Sequence, residues 1–196
     1  MIVTVFDTET TGLHRKGKPL ADQPYVVQLA AIQFQDKKPI AHLSAIIKNP
    51  EVTEIDVRAS GVHGFTPEII GEIGVARGPI FSRFSQMVGM SDRLVAHNST
   101  FDRGVMLAAA ERDDLFVLTK HLQDIETVCT MNSAIPVVKK KGKYAGSYGW
   151  PKLVEAYKHF YDKEFSGAHD AMVDVKACAA VYFKLIDAGA RMVGGV

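Results

Sequence analysis

Residues 2–12 read IVTVFDTETTG, a stretch rich in β-branched residues in which hydrophobic and polar side chains alternate. Alternation with a period of two is typical of a β-strand, and the closing glycine indicates a turn. On such a strand Asp7 and Glu9 project from the same face, after Val3 and Val5. The sequence therefore predicts a first strand that ends in two neighbouring carboxylates.

A metal site is one interpretation of this acidic pair. Adjacent anions repel each other and raise each other's pKa, whereas magnesium and manganese prefer oxygen-rich carboxylate clusters. The alternative for an isolated D-x-E motif is a solvated acidic strand end. Because two valines precede Asp7 and Glu9 on their face, the pair continues an apolar face, and this favours the metal.

The rest of the chain predicts a mixture of strands and helices. Strand-like runs at residues 25–34 and 40–48 indicate an antiparallel meander, and a further short apolar strand is expected at 92–97. Helical patterns are found at residues 78–90, 101–112, 124–135, 150–160 and 171–188. We therefore expect an α/β fold in one domain, residues 1–196, with a mixed sheet flanked by helices.

The composition is that of an ordinary globular protein, with 47% hydrophobic and 23% charged residues. A net charge of +1 excludes the heavily basic surface of a protein that holds long duplexes by counterion release. No apolar stretch approaches the roughly 20 residues of a membrane-spanning helix. Cys129 and Cys178 have apolar neighbours and predict buried thiols, so we expect a cytoplasmic protein without membrane partners.

A third acid, Asp102, lies within the string AHNSTFD at residues 96–102. Asn98 is expected to cap the helix that follows, which places Asp102 in its first turn. A favourable charge near a helix N-terminus is an adequate explanation of this acid, and a functional carboxylate is the other.

A fourth acid, Asp174, is predicted to face the core of the last helix. It shares one helical stripe with the apolar residues Ala177, Cys178, Val181 and Leu185. A carboxylate there is costly unless it is paired or bound to metal, so we favour a metal ligand over a hydrogen-bonded structural aspartate. His169 would lie just outside this helix, with Asp170 as its N-cap. Lone histidines are usually structural, but one beside metal-bound carboxylates is a candidate general base.

The order and spacing of three motifs carry a family resemblance. FDTETTG, AHNSTFD and the H-x-x-x-x-D of HDAMVD closely resemble the three exonuclease motifs of the DEDD superfamily, and in particular its DEDDh or DnaQ-like branch of 3′→5′ exonucleases. The resemblance extends from Asp7 to Asp174. It implies an RNase H-like fold with a mixed five-stranded sheet.

The resemblance also implies roles for five residues. Asp7, Glu9 and Asp174 would bind one Mg²⁺ or Mn²⁺ ion directly. Asp7 would also bind a second ion, to which Asp102 contributes through water. His169 would take the proton from the attacking water, and nucleoside 5′-monophosphates would be released.

Substrate contacts are implied for a turn and three further positions. In the family, the turn formed here by Thr10, Thr11, Gly12 and Leu13 lies against the terminal nucleotide, with Leu13 as an apolar wedge. The string VHGFTPE resembles V-H-G-I-T-x-E, so that His63 would contact the terminal base or sugar, although a turn in which Thr66 caps a short helix is an equal alternative. Asn98 would either hydrogen-bond to the substrate or cap its helix. Phe101 would either stack on the substrate or belong to the core.

The sequence leaves the nucleic acid open. A 3′→5′ exonuclease acting on single-stranded DNA ends is the first hypothesis. The alternatives are an exoribonuclease that trims RNA, a catalytically weak end-binding partner of a polymerase, and an RNase H-like endonuclease. A polymerase or another replication or repair protein is a possible partner in trans. The basic run Lys139 to Lys143 is either a phosphate-binding segment or a solvated loop.

Overall fold

The computed structural model describes residues 1–15 and 17–195. Its strands are β1 (Ile2–Thr10), β2 (Val26–Gln35), β3 (Lys38–Lys48), β4 (Val75–Ala76), β5 (Arg93–Ala96) and β6 (Glu126–Cys129). Its helices are α1 (Val57–His63), α2 (Pro67–Ile73), α3 (Arg77–Gly89), α4 (Ser99–Arg112), α5 (Phe116–Asp124), α6 (Thr130–Val138), α7 (Leu153–Tyr161) and α8 (Ala171–Asp187). The α/β fold class is confirmed.

The strands form one mixed sheet in the order β4-β3-β2-β1-β5-β6. β1, β2 and β3 form the predicted antiparallel meander. β5 pairs in parallel with β1, and β6 in parallel with β5. The sheet has six strands instead of five, because the two-residue β4 adds to the outer edge of β3. So short a strand shows no periodicity in the sequence.

The two faces of β1 are buried against different helices. Phe6 belongs to a core with residues of α3, α4 and α5, and lies 5.3 Å from Phe84, centroid to centroid. Val3 and Val5 instead pack in a core with α8, which includes Tyr182. Because β1 carries helices on both faces, its alternating side chains point into two separate layers. The face that leads to Asp7 and Glu9 is the α8 face.

The helix predicted at residues 124–135 is wrong in its first half. Asp124 is the last residue of α5 and pairs with Lys120, so it caps no helix N-terminus. β6 follows and brings Cys129 opposite Ala96 of β5, and α6 begins only after it. A four-residue strand between two helices has too few residues to reveal its period, and here pairing with β5 decides the conformation.

The far edge of β6 is covered by the last described residues. The Cys129 N–H donates to the carbonyl of Val193 at 2.8 Å, and the Val193 N–H donates to Ser133 Oγ at 2.9 Å. Both cysteines are buried free thiols, as predicted. Among the described residues, no helix combines the length and hydrophobicity that crossing a bilayer requires.

Candidate active site

Three acids converge from β1 and α8 at the C-terminal end of β1. Asp7 and Glu9 continue the α8 face of the strand. α8 begins at Ala171 because Asp170 caps it, with Oδ1 accepting the N–H groups of Met172 and Val173. Asp174 thus occupies the first turn, only 9% exposed, as the predicted stripe requires.

Asp102 reaches the same end of the sheet from the opposite layer. It is buried in the first turn of α4. Its Oδ1 accepts the backbone N–H of Thr8 at 3.0 Å and the Thr8 hydroxyl at 2.8 Å. Thr8 lies between Asp7 and Glu9 but faces α4. β1 therefore carries two acids on one face and, on the other face, the threonine that hydrogen-bonds to Asp102.

The four carboxylates destabilise one another's charged forms. Burial raises the pKa of Asp7 well above its ordinary value, and the charges of Asp102 and Glu9 raise it further. Burial, Asp174 and Asp102 raise the pKa of Glu9 to about 8. Burial also raises the pKa of Asp102 to about 7, although its hydrogen bonds from Thr8 oppose this. The pKa of Asp174 is raised mainly by burial. Such a cluster is stabilised by a cation.

The oxygen and nitrogen atoms of this cluster are suitable ligands for a divalent metal ion. Ligand atoms of Glu9, His169 and Asp174 lie within 4.8 Å of one another, and the carboxylate oxygens are ligands that magnesium and manganese prefer. Repulsion among the buried acids supports the same conclusion, because a cation would remove it. The residues present therefore fit an acidic metal-binding cluster.

His169 lies outside α8, as predicted, and its side chain is exposed beside the acids. Its backbone has the left-handed φ of 73°, which is uncommon for a residue with a side chain. Its N–H donates to Asp174 Oδ2 at 2.9 Å. This hydrogen bond ties the segment that carries the imidazole to one of the carboxylates.

The turn after β1 borders a cleft of about 1100 Å³, lined also by residues of α1 and by Phe101. Thr10 Oγ1 donates to the carbonyl of Gly12 at 2.6 Å. Thr11 Oγ1 accepts the N–H of Tyr25 at 3.0 Å. Leu13 is 77% exposed, so an apolar side chain stands free at the rim of the cleft.

His63 is held by both ring nitrogens. Nδ1 accepts the N–H of Phe65 at 3.0 Å, so the proton lies on Nε2, which donates to the carbonyl of Thr10 at 3.1 Å. Burial lowers the pKa of His63, and the neighbouring His169 lowers it further. Thr66 caps α2 as the alternative interpretation predicted, with Oγ1 accepting the N–H of Ile69. His63 therefore connects the end of α1 to the turn.

Asn98 and Phe101 differ from the simplest expectations. Asn98 is the N-cap residue of α4, but its side chain makes no capping hydrogen bond and its φ is 71°. It is exposed at the C-terminal end of β5. Phe101 packs partly against the core below β1 and also lines the cleft, so it combines the two positions considered for it.

Three supporting residues were not recognised in the sequence. Thr8 positions Asp102, and the only signal for it is its place between two acids. Gln28 of β2 is buried and its Oε1 accepts the N–H of Ala171 at the start of α8. His97 has Nδ1 at 2.9 Å from Thr130 Oγ1, and its Nε2 donates to the carbonyl of Pro151 at 3.0 Å. The partners of Gln28 and His97 are distant in sequence and leave no local pattern.

Comparison with known proteins places this arrangement in a family. The RNase_T exonuclease model matches residues 4–182. The chain is 28% identical over 143 residues to the DNA polymerase III subunit epsilon of Buchnera aphidicola subsp. Schizaphis graminum, covering 70% of this chain and 55% of that protein.

Solved structures show the same fold. Exonuclease I of E. coli in complex with a dA16 oligonucleotide matches with a TM-score of 0.73 at 22% identity, covering 95% of this chain and 41% of that chain. Exonuclease I of Methylocaldum szegediense matches with a TM-score of 0.71 at 21% identity, with coverages of 95% and 40%. The chain thus spans about half the length of the curated relative.

The family model covers nearly the whole chain, including all four acids and His169. The chain therefore belongs to the RNase_T exonuclease family, and its D-T-E, N-x-x-x-D and H-x-x-x-x-D motifs assign it to the DEDDh or DnaQ-like group of 3′→5′ exonucleases.

Proposed function

We propose that the protein is a metal-dependent 3′→5′ exonuclease that removes nucleoside 5′-monophosphates from single-stranded DNA. The observation that carries this proposal is the convergence of four carboxylates and His169 beside an open cleft. Their mutual repulsion is an unfavourable arrangement for a purely structural cluster.

Mg²⁺ or Mn²⁺ would be held as two ions by these acids. Asp7, Glu9 and Asp174 would bind one ion, and Asp7 and Asp102 would serve the second, Asp102 through water. When bound, two such ions lower the pKa of a water molecule and neutralise charge on the leaving 3′-oxygen. Thr8 then keeps Asp102 oriented through its two hydrogen bonds.

His169 would act as the general base. Its imidazole lies next to Glu9 and Asp174 and is exposed, so it can accept a proton from the attacking water and pass it to solvent. The hydrogen bond from its backbone to Asp174 supports this role, because the base and an acid then keep their relative positions.

The cleft would hold the terminal nucleotide. Thr10, Thr11 and Gly12 form its wall, where backbone groups can approach the substrate closely. The exposed Leu13 would pack against the last base. Asn98, whose amide makes no cap, and Phe101 at the cleft are the remaining proposed contacts.

DNA is proposed because of the relatives. One is a DNA polymerase III subunit, and the Exonuclease I structures include complexes with dA16 and dT13 oligonucleotides. The epsilon subunit also supports a polymerase as a partner in trans. A comparison of matched single-stranded and double-stranded DNA and RNA would test the choice. Faster degradation of RNA would favour the trimming function instead.

The catalytic proposal is tested with a 5′-labelled single strand and magnesium. We expect a ladder of shortened products that EDTA suppresses and that Asp7→Ala abolishes. Closed circular strands should remain intact. Cuts in circles would indicate an endonuclease, and strand binding without any degradation by the unmodified protein would indicate an end-binding module.

A further inference from the structure

The segment between α6 and α7 concentrates positive charge. Residues 139–152 read KKKGKYAGSYGWPK, with five lysines and no acid. The whole chain has a net charge of only +1. This segment, called the basic hairpin below, is thus a local cationic region on a nearly neutral protein.

The basic hairpin has a defined backbone conformation. Lys141 and Tyr148 form an antiparallel bridge. The Gly142 N–H donates to the carbonyl of Ser147 at 2.9 Å, and the Gly149 N–H donates to the carbonyl of Lys140 at 2.8 Å. These hydrogen bonds hold the two arms together, so the side chains project from an ordered scaffold.

Three aromatic side chains of the basic hairpin are open to solvent. Tyr144 is 71% exposed, Tyr148 52% and Trp150 67%. Lys140 pairs with Glu155 of α7, with Nζ 2.7 Å from Oε2. Within the described part of the chain, the exposed Lys141 and Lys143 form no ion pair. Aromatic faces next to unpaired ammonium groups are the combination with which proteins bind single-stranded nucleic acid.

The base of the basic hairpin is fastened to the catalytic end of the sheet. Pro151, next to Trp150, accepts the Nε2–H of His97 through its carbonyl. His97 directly follows β5, which runs parallel to β1 with Val95 opposite Val5. Two residues further along, His97 therefore lies at the level of Asp7. The basic hairpin consequently emerges at the end of the sheet where the acids converge.

We infer that the basic hairpin is a binding site for the single-stranded DNA upstream of the terminal nucleotide. The lysines contact phosphates, and bases stack on the exposed aromatic rings. This inference rests on the proposed exonuclease function, because it extends the path of the same substrate. It assigns the binding of longer strands to a surface separate from the acids and the cleft.

Trp150 is the single tryptophan of the chain and allows a direct test. The catalytically silenced Asp7→Asn protein is titrated with a 20-nucleotide single strand in magnesium, and tryptophan emission is followed. Stacking should quench the emission. An abasic strand of the same length carries the charge without bases and should quench much less. Unchanged emission at saturation with the normal strand, measured independently by anisotropy, would overturn the inference.

The lysines are tested by matched double variants in the same silenced background. Lys141→Ala/Lys143→Ala removes two charges from the basic hairpin, and we expect roughly a tenfold weaker affinity and a shallower dependence of affinity on salt. Lys37→Ala/Lys38→Ala removes two charges at the β2–β3 turn, on the opposite end of the sheet, and should bind like the parent. Equal losses in both variants would reduce the effect to net charge and overturn the inference.

Kinetics separate this inference from the proposed function. In the active enzyme, Trp150→Ala should lower kcat/KM for the 20-mer several times more than kcat/KM for a dinucleotide. Equal losses on both substrates would overturn the inference while leaving the exonuclease function intact. If the unmodified protein degrades neither substrate, the proposed function itself fails.

Discussion

The two sides of the candidate active site are built differently. On one side, the carboxylates of Asp7, Glu9 and Asp174 sit on a strand and a helix whose other residues form the core. On the other side, His169 and the turn at residues 10–13 are held by hydrogen bonds from individual residues of neighbouring segments. The carboxylates can stay close together despite their mutual repulsion, because the strand and the helix that carry them are rigid.

Neutralising Asp7 should have the largest effect, and it changes the rigid side, formed by β1 and α8. Asp7→Asn should lower activity by at least about 10³-fold, because it removes a proposed ligand of both ions. In alkaline buffer with EDTA, the same variant should be more stable than the unmodified protein, since it relieves repulsion among the buried acids. Activity assays and thermal melts measure the two effects. A variant that is inactive but less stable would show that the carboxylate contributes to folding.

His97, below the basic hairpin, should make a destabilising contribution in acid, opposite in sign to that of the carboxyl groups whose pKa values are raised. Burial lowers its pKa to about 4 in the folded protein, against about 6.5 when unfolded. As the pH falls through 6.5, the unfolded chain binds the proton on this histidine first, so the contribution of His97 to stability decreases until the pH reaches about 4. The loss attributable to this group is about 3 kcal/mol.

Urea unfolding near both ends of that pH range tests this expectation. His97→Gln keeps a donor and an acceptor but does not titrate. On going from pH 6.5 to pH 4, the unfolding free energy of the variant should therefore change by about 3 kcal/mol in the stabilising direction relative to the unmodified protein. Identical pH dependence in both proteins would mean that folding does not lower the pKa of His97.

Thr8→Val should weaken the positioning of Asp102 without removing its carboxylate. The variant loses the hydroxyl that donates to Asp102 but keeps the backbone N–H that donates to the same oxygen. We expect kcat to fall about tenfold, which corresponds to one hydrogen bond to a charged group. Thr8→Ser retains the hydroxyl and should recover most of the activity. If serine and valine behave alike, the hydroxyl is not what positions Asp102.

Substitution of His63 should have the smallest effect. It changes the loop side of the site, formed by His169 and the turn at residues 10–13. His63→Ala removes the hydrogen bond to the carbonyl of Thr10, so KM should rise about threefold to fivefold for every terminal base, at a cost near 1 kcal/mol. His63→Gln can still donate to that carbonyl, so its KM should lie between those of the unmodified protein and His63→Ala. A loss that depends on the identity of the terminal base would instead indicate direct contact with the substrate.

The sequence predicted the rigid side better than the loop side for a physical reason. Alternation in β1 and the helical stripe of α8 are repeating patterns, so the burial of Asp7 and Asp174 followed from their neighbours. The hydrogen bonds of Thr8 and His63 join residues 94 and 53 positions apart, and no local pattern encodes them. β6 was missed for the same reason, because only its pairing with β5 makes those four residues a strand.

The alternation of β1 has a further consequence for how the site tolerates insertions and deletions. Odd-numbered residues of this strand face α8 and even-numbered ones face α4. Deleting one residue between Val3 and Asp7 would exchange the two sets, sending the acids into the layer of Phe84 and aiming a threonine at Asp174. The composition would hardly change, yet the cluster would be dismantled. The site is therefore specified by the phase of its residues along the strand as much as by their chemical identity.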